Sequence, residues 1–212
     1  MNYLNFILAI CIIFMGCNSS TTETNSDSAQ TKITSQDTVL SLSKKDTVEG
    51  SRINNYWEQL PIRTVADLIL KDSIRPISNP VIYKMLDSLS SDLKPTRQFY
   101  FGVFNKIMNK ADGEVAESIG GYALTYVQNY PKEFLENSRT LSKNQFEAWA
   151  SNIGIELYLS SSESDNVKET YDQMVVLFND NCKDCIGYFR SRLKEFTNLI
   201  WQTIRENQQA QK

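Results

Sequence analysis

Histidine is absent from all 212 residues. That removes the commonest general base and the commonest nitrogen ligand for zinc or copper. Ser-His-Asp and Cys-His catalysis are excluded with it, as is a di-iron site built on Glu-x-x-His. Positive charge is not in surplus either: 22 Lys and Arg face 25 Asp and Glu, for a formal net charge of -3. Without a strongly basic block, the electrostatic footprint of a nucleic-acid binder is missing, and no DNA or RNA partner is expected. Beyond residues 4–15 no apolar run approaches the roughly 20 residues needed to cross a bilayer. Glycine is sparse, and the one pair, Gly120 and Gly121, lacks the surrounding glycines and the lysine of a phosphate loop.

What the chain does contain is helical periodicity. Pro80, after Asn79, suits a first helical position, and Ile82, Met85, Leu86, Leu89 and Leu93 follow on one face. Pro95 opens a segment in which Phe99, Tyr100, Phe101, Val103, Phe104, Ile107 and Met108 run nearly all the way round, as in a central helix. Asp112 is placed to cap the next helix, with apolar Val115, Ile119, Tyr122, Tyr126 and Val127 and small Ala116, Gly120 and Ala123. A glycine inside a helix is disfavoured by about 1 kcal/mol relative to alanine. Close packing against the helix of Phe99 and Phe104 is the expected reason for Gly120 and Gly121. Ser142 with Gln145 fits a capping box ahead of Phe146, Trp149, Ile153 and Leu157. Val167, Tyr171, Met174, Val175 and Phe178 form another stripe, and Ile186, Phe189, Leu193, Phe196, Ile200 and Ile204 the last and longest. The predicted fold is all-α, a set of antiparallel helical hairpins forming an irregular bundle or a short α-solenoid. The alternation of bulky and small-residue helices faintly resembles HEAT-type units over residues 80–208, without a repeat of fixed period.

Residues 4–15 are apolar at almost every position and have the length of a signal-peptide core. They lead into Phe14-Met15-Gly16-Cys17, which resembles the lipobox of bacterial lipoproteins. Phe14 and Met15 stand where an aliphatic and a small residue are usual, and no Lys or Arg precedes the run. The resemblance implies cleavage before Cys17 and acylation of that cysteine. More than one acyl chain gives stable anchoring. The expected organisation is a signal peptide over 1–16, the lipidated Cys17 with a Ser/Thr-rich tether over 17–50, and a helical domain over 51–212. A flexible tether of that length reaches about 30 Å. The body is expected to begin near Ile53, Tyr56 and Trp57.

Chemistry-bearing residues are few. Cys182 and Cys185 have the spacing of redox dithiols and of half a zinc site. With Cys11 removed and Cys17 acylated, no third and fourth ligand remain, so no metal is expected. Asp180 and Asp184 oppose thiolate formation. In an oxidising envelope a short structural disulfide is the simpler reading, contributing about 2 kcal/mol through loop closure. The remaining acid-base or ligand candidates are Glu114 with Glu117, and Asp165 with Glu169 and Asp172, each set along one helical face. Such faces are usually solvated, and acids near helix starts complement the dipole. Tyr122, Tyr126, Tyr130, Trp149 and Trp201 are expected mainly in the core, any exposed one serving as an interface anchor.

The sequence therefore points to a protein lipid-anchored in the bacterial envelope, periplasmic or surface-exposed. It is expected to bind a protein partner without catalysis and without a cofactor, as immunity-type or accessory subunits do. The rival is a small-ligand binder or enzyme using a carboxylate-lined pocket between helices.

Overall fold

A computed structural model gives the fold of residues 59–161 and 166–210. The signal segment, Cys17, the tether, Ile53, Tyr56, Trp57 and Asp165 lie outside those described residues.

Local chemistry starts and stops each helix. Pro61 precedes α1 (Ile62–Leu70), which buries Val65, Ala66 and Ile69. Beyond its end Asp72 takes φ 57°. The N–H groups of Asp72 and Ser73 bond to the carbonyls of Ile69 and Leu68, a left-handed cap in which a short polar side chain is tolerated. The Asp72 carboxylate accepts hydrogen bonds from Lys106 and Lys110, and these lysines, Lys110 foremost, hold its carboxyl below the usual range. Asn79 caps α2 (Pro80–Ser88), its side chain accepting the Val81 N–H at 2.8 Å. Leu89 is buried, but α2 has ended by then, and Leu93 sits before α3 (Lys94–Lys110) with 66% of its surface exposed. The sequence had counted Leu93 on the apolar stripe; the turn after Ser88 rotates it out.

Asp112 stands at the N-cap of α4 (Gly113–Asn129) without capping it. Its carboxylate pairs instead with Arg75 at 2.9 Å. Short α5 (Pro131–Asn137) continues into a 3₁₀ turn (Ser138–Thr140). The capping box forms as expected ahead of α6 (Lys143–Ser161): the Ser142 N–H donates to Gln145 Oε1 at 2.9 Å, and the Gln145 N–H donates to Ser142 Oγ at 3.3 Å. Then come α7 (Val167–Asp180) and α8 (Tyr188–Ala210), at 23 residues the longest described helix. Among the described residues all regular structure is helical, and no helix is long and apolar enough to cross a membrane.

Successive helices pair at α1–α2, α2–α3, α4–α5 and α6–α7, as hairpins do. The two most extensive contacts nevertheless skip an element, α4 against α6 and α6 against α8. Glycines permit both. A Cβ on Gly120 would lie 2.6 Å from the Asn152 carbonyl oxygen and 2.7 Å from Glu156 Cβ. One on Gly154 would lie 2.8 Å from Thr203 Cβ and 2.9 Å from the Ile200 carbonyl oxygen. Close packing thus explains Gly120, but its neighbour is α6 rather than the expected helix of Phe99 and Phe104. That helix meets α6 too, but through Phe101 and Phe104, which pack on Trp149. This fully buried indole stacks on Phe101 at 5.3 Å and contacts Phe104, Tyr126 and Phe134. Its Nε1–H donates to Asn105 Oδ1 at 2.7 Å, and Asn105 Nδ2 donates to the Phe101 carbonyl. Phe134 and Phe146 extend the cluster to Phe196 on α8.

Adjacent glycines should therefore answer alanine with opposite signs. G120A overpacks a backbone-lined contact, a change that destabilises by about 1–3 kcal/mol before a partial helix-propensity offset. At Gly121 the nearest atom to a new Cβ is 3.8 Å away, so G121A should stabilise by up to about 1 kcal/mol. Thermal unfolding of both variants, one melting below and one above the parent, checks the packing. Asp72 yields a second expectation. Its pKa is depressed in the fold, so its contribution is present above the unfolded value and disappears as pH falls through the folded one. Asparagine also tolerates positive φ, which makes D72N a clean charge probe. The stability gap between parent and D72N should be open at pH 7 and close below about pH 4, as measured by urea titration.

Candidate functional site

The loop from α7 to α8 is short, pinned and unusually apolar at its tip. Asn181 ends α7, its N–H bonding the Leu177 carbonyl. Cys182 and Cys185 are buried and disulfide-linked, with Cα atoms 5.1 Å apart, and the Cys185 N–H bonds the Cys182 carbonyl at 2.9 Å to close the turn. Gly187 then takes φ 54°, a conformation that suits glycine, and α8 begins one residue later. This break explains why Ile186, counted with the last helical stripe by spacing alone, is 79% exposed. Tyr188 is half exposed beside it.

Four side chains fix the loop. Asn181 Nδ2 donates to the Gln128 carbonyl at 2.6 Å. Lys132 pairs with Asp184, which lowers the aspartate pKa and raises that of the lysine. Arg190 donates from Nε to the Cys185 carbonyl at 3.2 Å and from Nη1 to Asn179 Oδ1 at 2.8 Å. The Arg139 guanidinium lies 4.9 Å from the ring centroids of both Tyr188 and Phe189.

Next to this loop is a buried polar network. Arg97 and Glu133, both nearly inaccessible, form a bidentate pair: Nη2 to Oε2 at 2.7 Å and Nε to Oε1 at 3.0 Å. Arg97 Nη1 donates to the Ser91 and Asp92 carbonyls, and its guanidinium lies 3.7 Å from the Tyr130 ring centroid. The Tyr126 hydroxyl donates to Glu133 Oε1 at 3.2 Å and accepts from Asn137 Nδ2 at 3.1 Å. Burial pushes the Tyr126 phenol far up, and the Glu133 hydrogen bond raises the Arg97 pKa. An open recess above it is lined by Lys94, Asn129, Tyr130, Lys132, Glu136 and Asn181. Sequence reasoning missed this network. The available signal was Arg97 itself, a charge four and seven residues ahead of Phe101 and Phe104 on one apolar face.

The predicted carboxylates stand elsewhere. Glu114 is exposed in the first turn of α4 and accepts from Ser78 Oγ at 2.6 Å; Glu117 is exposed on the same helix. Glu169, in the first turn of α7, accepts from Asn166 and Gln173, and Asp172 pairs with Lys168. Glu169 and Asp172 share an open recess with Val176, Leu177 and Asp180. No group of three or more Cys, Asp or Glu among the described residues is placed to hold a metal ion. Tyr126 and Trp149 are buried; Tyr122, Tyr130 and Trp201 are half-buried. The chain matches no protein-family model, no curated protein and no solved structure.

Removing one member of the buried pair leaves the other charged and unpaired, a loss of about 3–5 kcal/mol. R97A should show it in urea unfolding. The double variant R97M/E133L, which removes both charges with similar volume, should recover most of the loss.

Proposed function

We propose that this chain is a lipid-anchored protein of the bacterial envelope whose helical body binds a protein partner without catalysis. Residues 4–17 supply the reason for the anchor and the compartment, through their resemblance to a lipoprotein signal with Cys17 as the acylated residue. The observation that carries the binding reading is Ile186, a large aliphatic side chain held 79% exposed on a loop whose backbone is fixed on both sides.

Burying an isoleucine side chain stabilises by about 1.5–3 kcal/mol, so leaving it in water forgoes that gain. A floppy loop would also lose entropy on docking. Here the disulfide turn, the Lys132–Asp184 pair and the Arg190 hydrogen bonds have already ordered the backbone. A pre-ordered apolar tip is what binding favours energetically. Tyr188 and Arg139 belong to the residue types enriched at interface hot spots. The burial of Cys182 and Cys185 favours a structural role for the disulfide over thiol exchange.

The test is photo-crosslinking in the anchored chain, in cells, with a photoreactive residue at position 186 and a control at exposed position 117. A discrete protein adduct formed from 186 and not from 117 is expected. The substitution I186D should abolish binding of that protein by the otherwise unmodified chain while leaving the melting temperature within a few degrees of the parent, because the side chain contributes nothing to the core. Equal adducts from both positions would overturn the reading.

A further inference from the structure

The loop face has a charge pattern as well as an apolar tip. Five cations border it, Lys94, Lys132, Arg139, Lys183 and Arg190, against three carboxylates, Glu136, Asp180 and Asp184. All three carboxylates are already engaged, Asp184 by Lys132, Asp180 by Lys183 at 3.5 Å and Glu136 by Lys94 at 3.7 Å. The two guanidiniums have no carboxylate partner among the described residues. Arg190 reaches Cys185, just before Ile186, and Arg139 lies against Tyr188 and Phe189, just after it. This local excess of two positive charges sits on a chain whose net charge is -3.

We infer that the partner is a protein surface offering an apolar socket for Ile186 ringed by carboxylates that receive Arg139 and Arg190. The inference rests on the binding reading above and specifies its chemistry. Arginine presents a planar fork of donors that matches a carboxylate in two parallel bonds. Arg139 is held by ring contact alone and keeps its whole fork, while Arg190 is fixed through Nε to the loop and through Nη1 to Asn179 and makes no bond through Nη2 among the described residues. An anionic lipid surface is the weaker match. Recruitment to such surfaces uses clusters of about four to eight Lys or Arg, whereas here Lys94, Lys132 and Lys183 are already paired with Glu136, Asp184 and Asp180, and two unpaired cations remain.

The test keeps the anchored full chain and reads adduct yield from position 186 in R139E and in R190Q, which removes the charge but keeps a side-chain donor for the loop. Each should lower the yield about tenfold or more, R139K should retain most of it, and the peptide crosslinked to 186 should contain Asp or Glu near the attachment point. Reversing those partner acids to Lys should restore the yield with R139E. A protein adduct at 186 indifferent to both charge changes would overturn this inference and leave the binding reading standing. No protein adduct at 186 would overturn both. Binding of the unlipidated chain to phosphatidylglycerol vesicles, lost in R139E, would overturn the protein partner in favour of lipid.

Discussion

Everything in the described fold depends on how near α6 lies to its two neighbours. On one side Gly120 lets α4 come so close that the Asn152 carbonyl and Glu156 Cβ occupy the space of a side chain; on the other, Gly154 does the same toward Thr203 and Ile200 of α8. Two glycines on different helices thereby set the spacing of a three-helix layer. Between them Trp149 projects into the interior, where rings from α3, α4 and α5 close around it. The indole N–H is satisfied by Asn105, whose own amide is tied to its helix, so the polar atom introduced by tryptophan is buried with a partner that offsets its loss of water.

The Arg97–Glu133 pair secures the same layer at one end. It joins α3 to α5, and through the Tyr126 hydroxyl it reaches α4. Ionic groups with so little water access persist because nearly every donor and lone pair is used. Their value is positional: α5 and the 3₁₀ turn after it are short, yet Lys132 and Arg139 project from them to support the neighbouring loop. The loop is in this way tied to the core by polar contacts that an apolar interior would not have directed.

The sequence's periodicity was a good guide wherever a helix ran unbroken. Pro80, the Ser142–Gln145 box and the stripe from Leu193 to Ile204 all stand where spacing puts them, because proline geometry, reciprocal capping and the 3.6-residue repeat are local properties. It misled where a stripe was counted across a break. Leu93 and Ile186 lie past the points at which the backbone turns, and one of those turns hinges on Gly187. Partner choice was also beyond local reading. Nothing in the pattern around Asp112 says that Arg75 competes for its carboxylate, and nothing near Gly120 says that α6, about thirty residues further on, is the helix it admits. The acid sets were legible as helical faces, but whether a face meets solvent or another element is a property of the assembled molecule.

The loop between α7 and α8 keeps its exposed apolar tip apart from the residues that anchor it. Its anchors are two buried cysteines, backbone carbonyls and the side chains of Asn181, Asp184 and Arg190, while Ile186 and Tyr188 hold out into water. Changes at the tip are therefore free of the core's steric demands. Under the binding proposal, a lineage of such chains can alter what the loop recognises, one exposed side chain at a time, without renegotiating how the helices fit together.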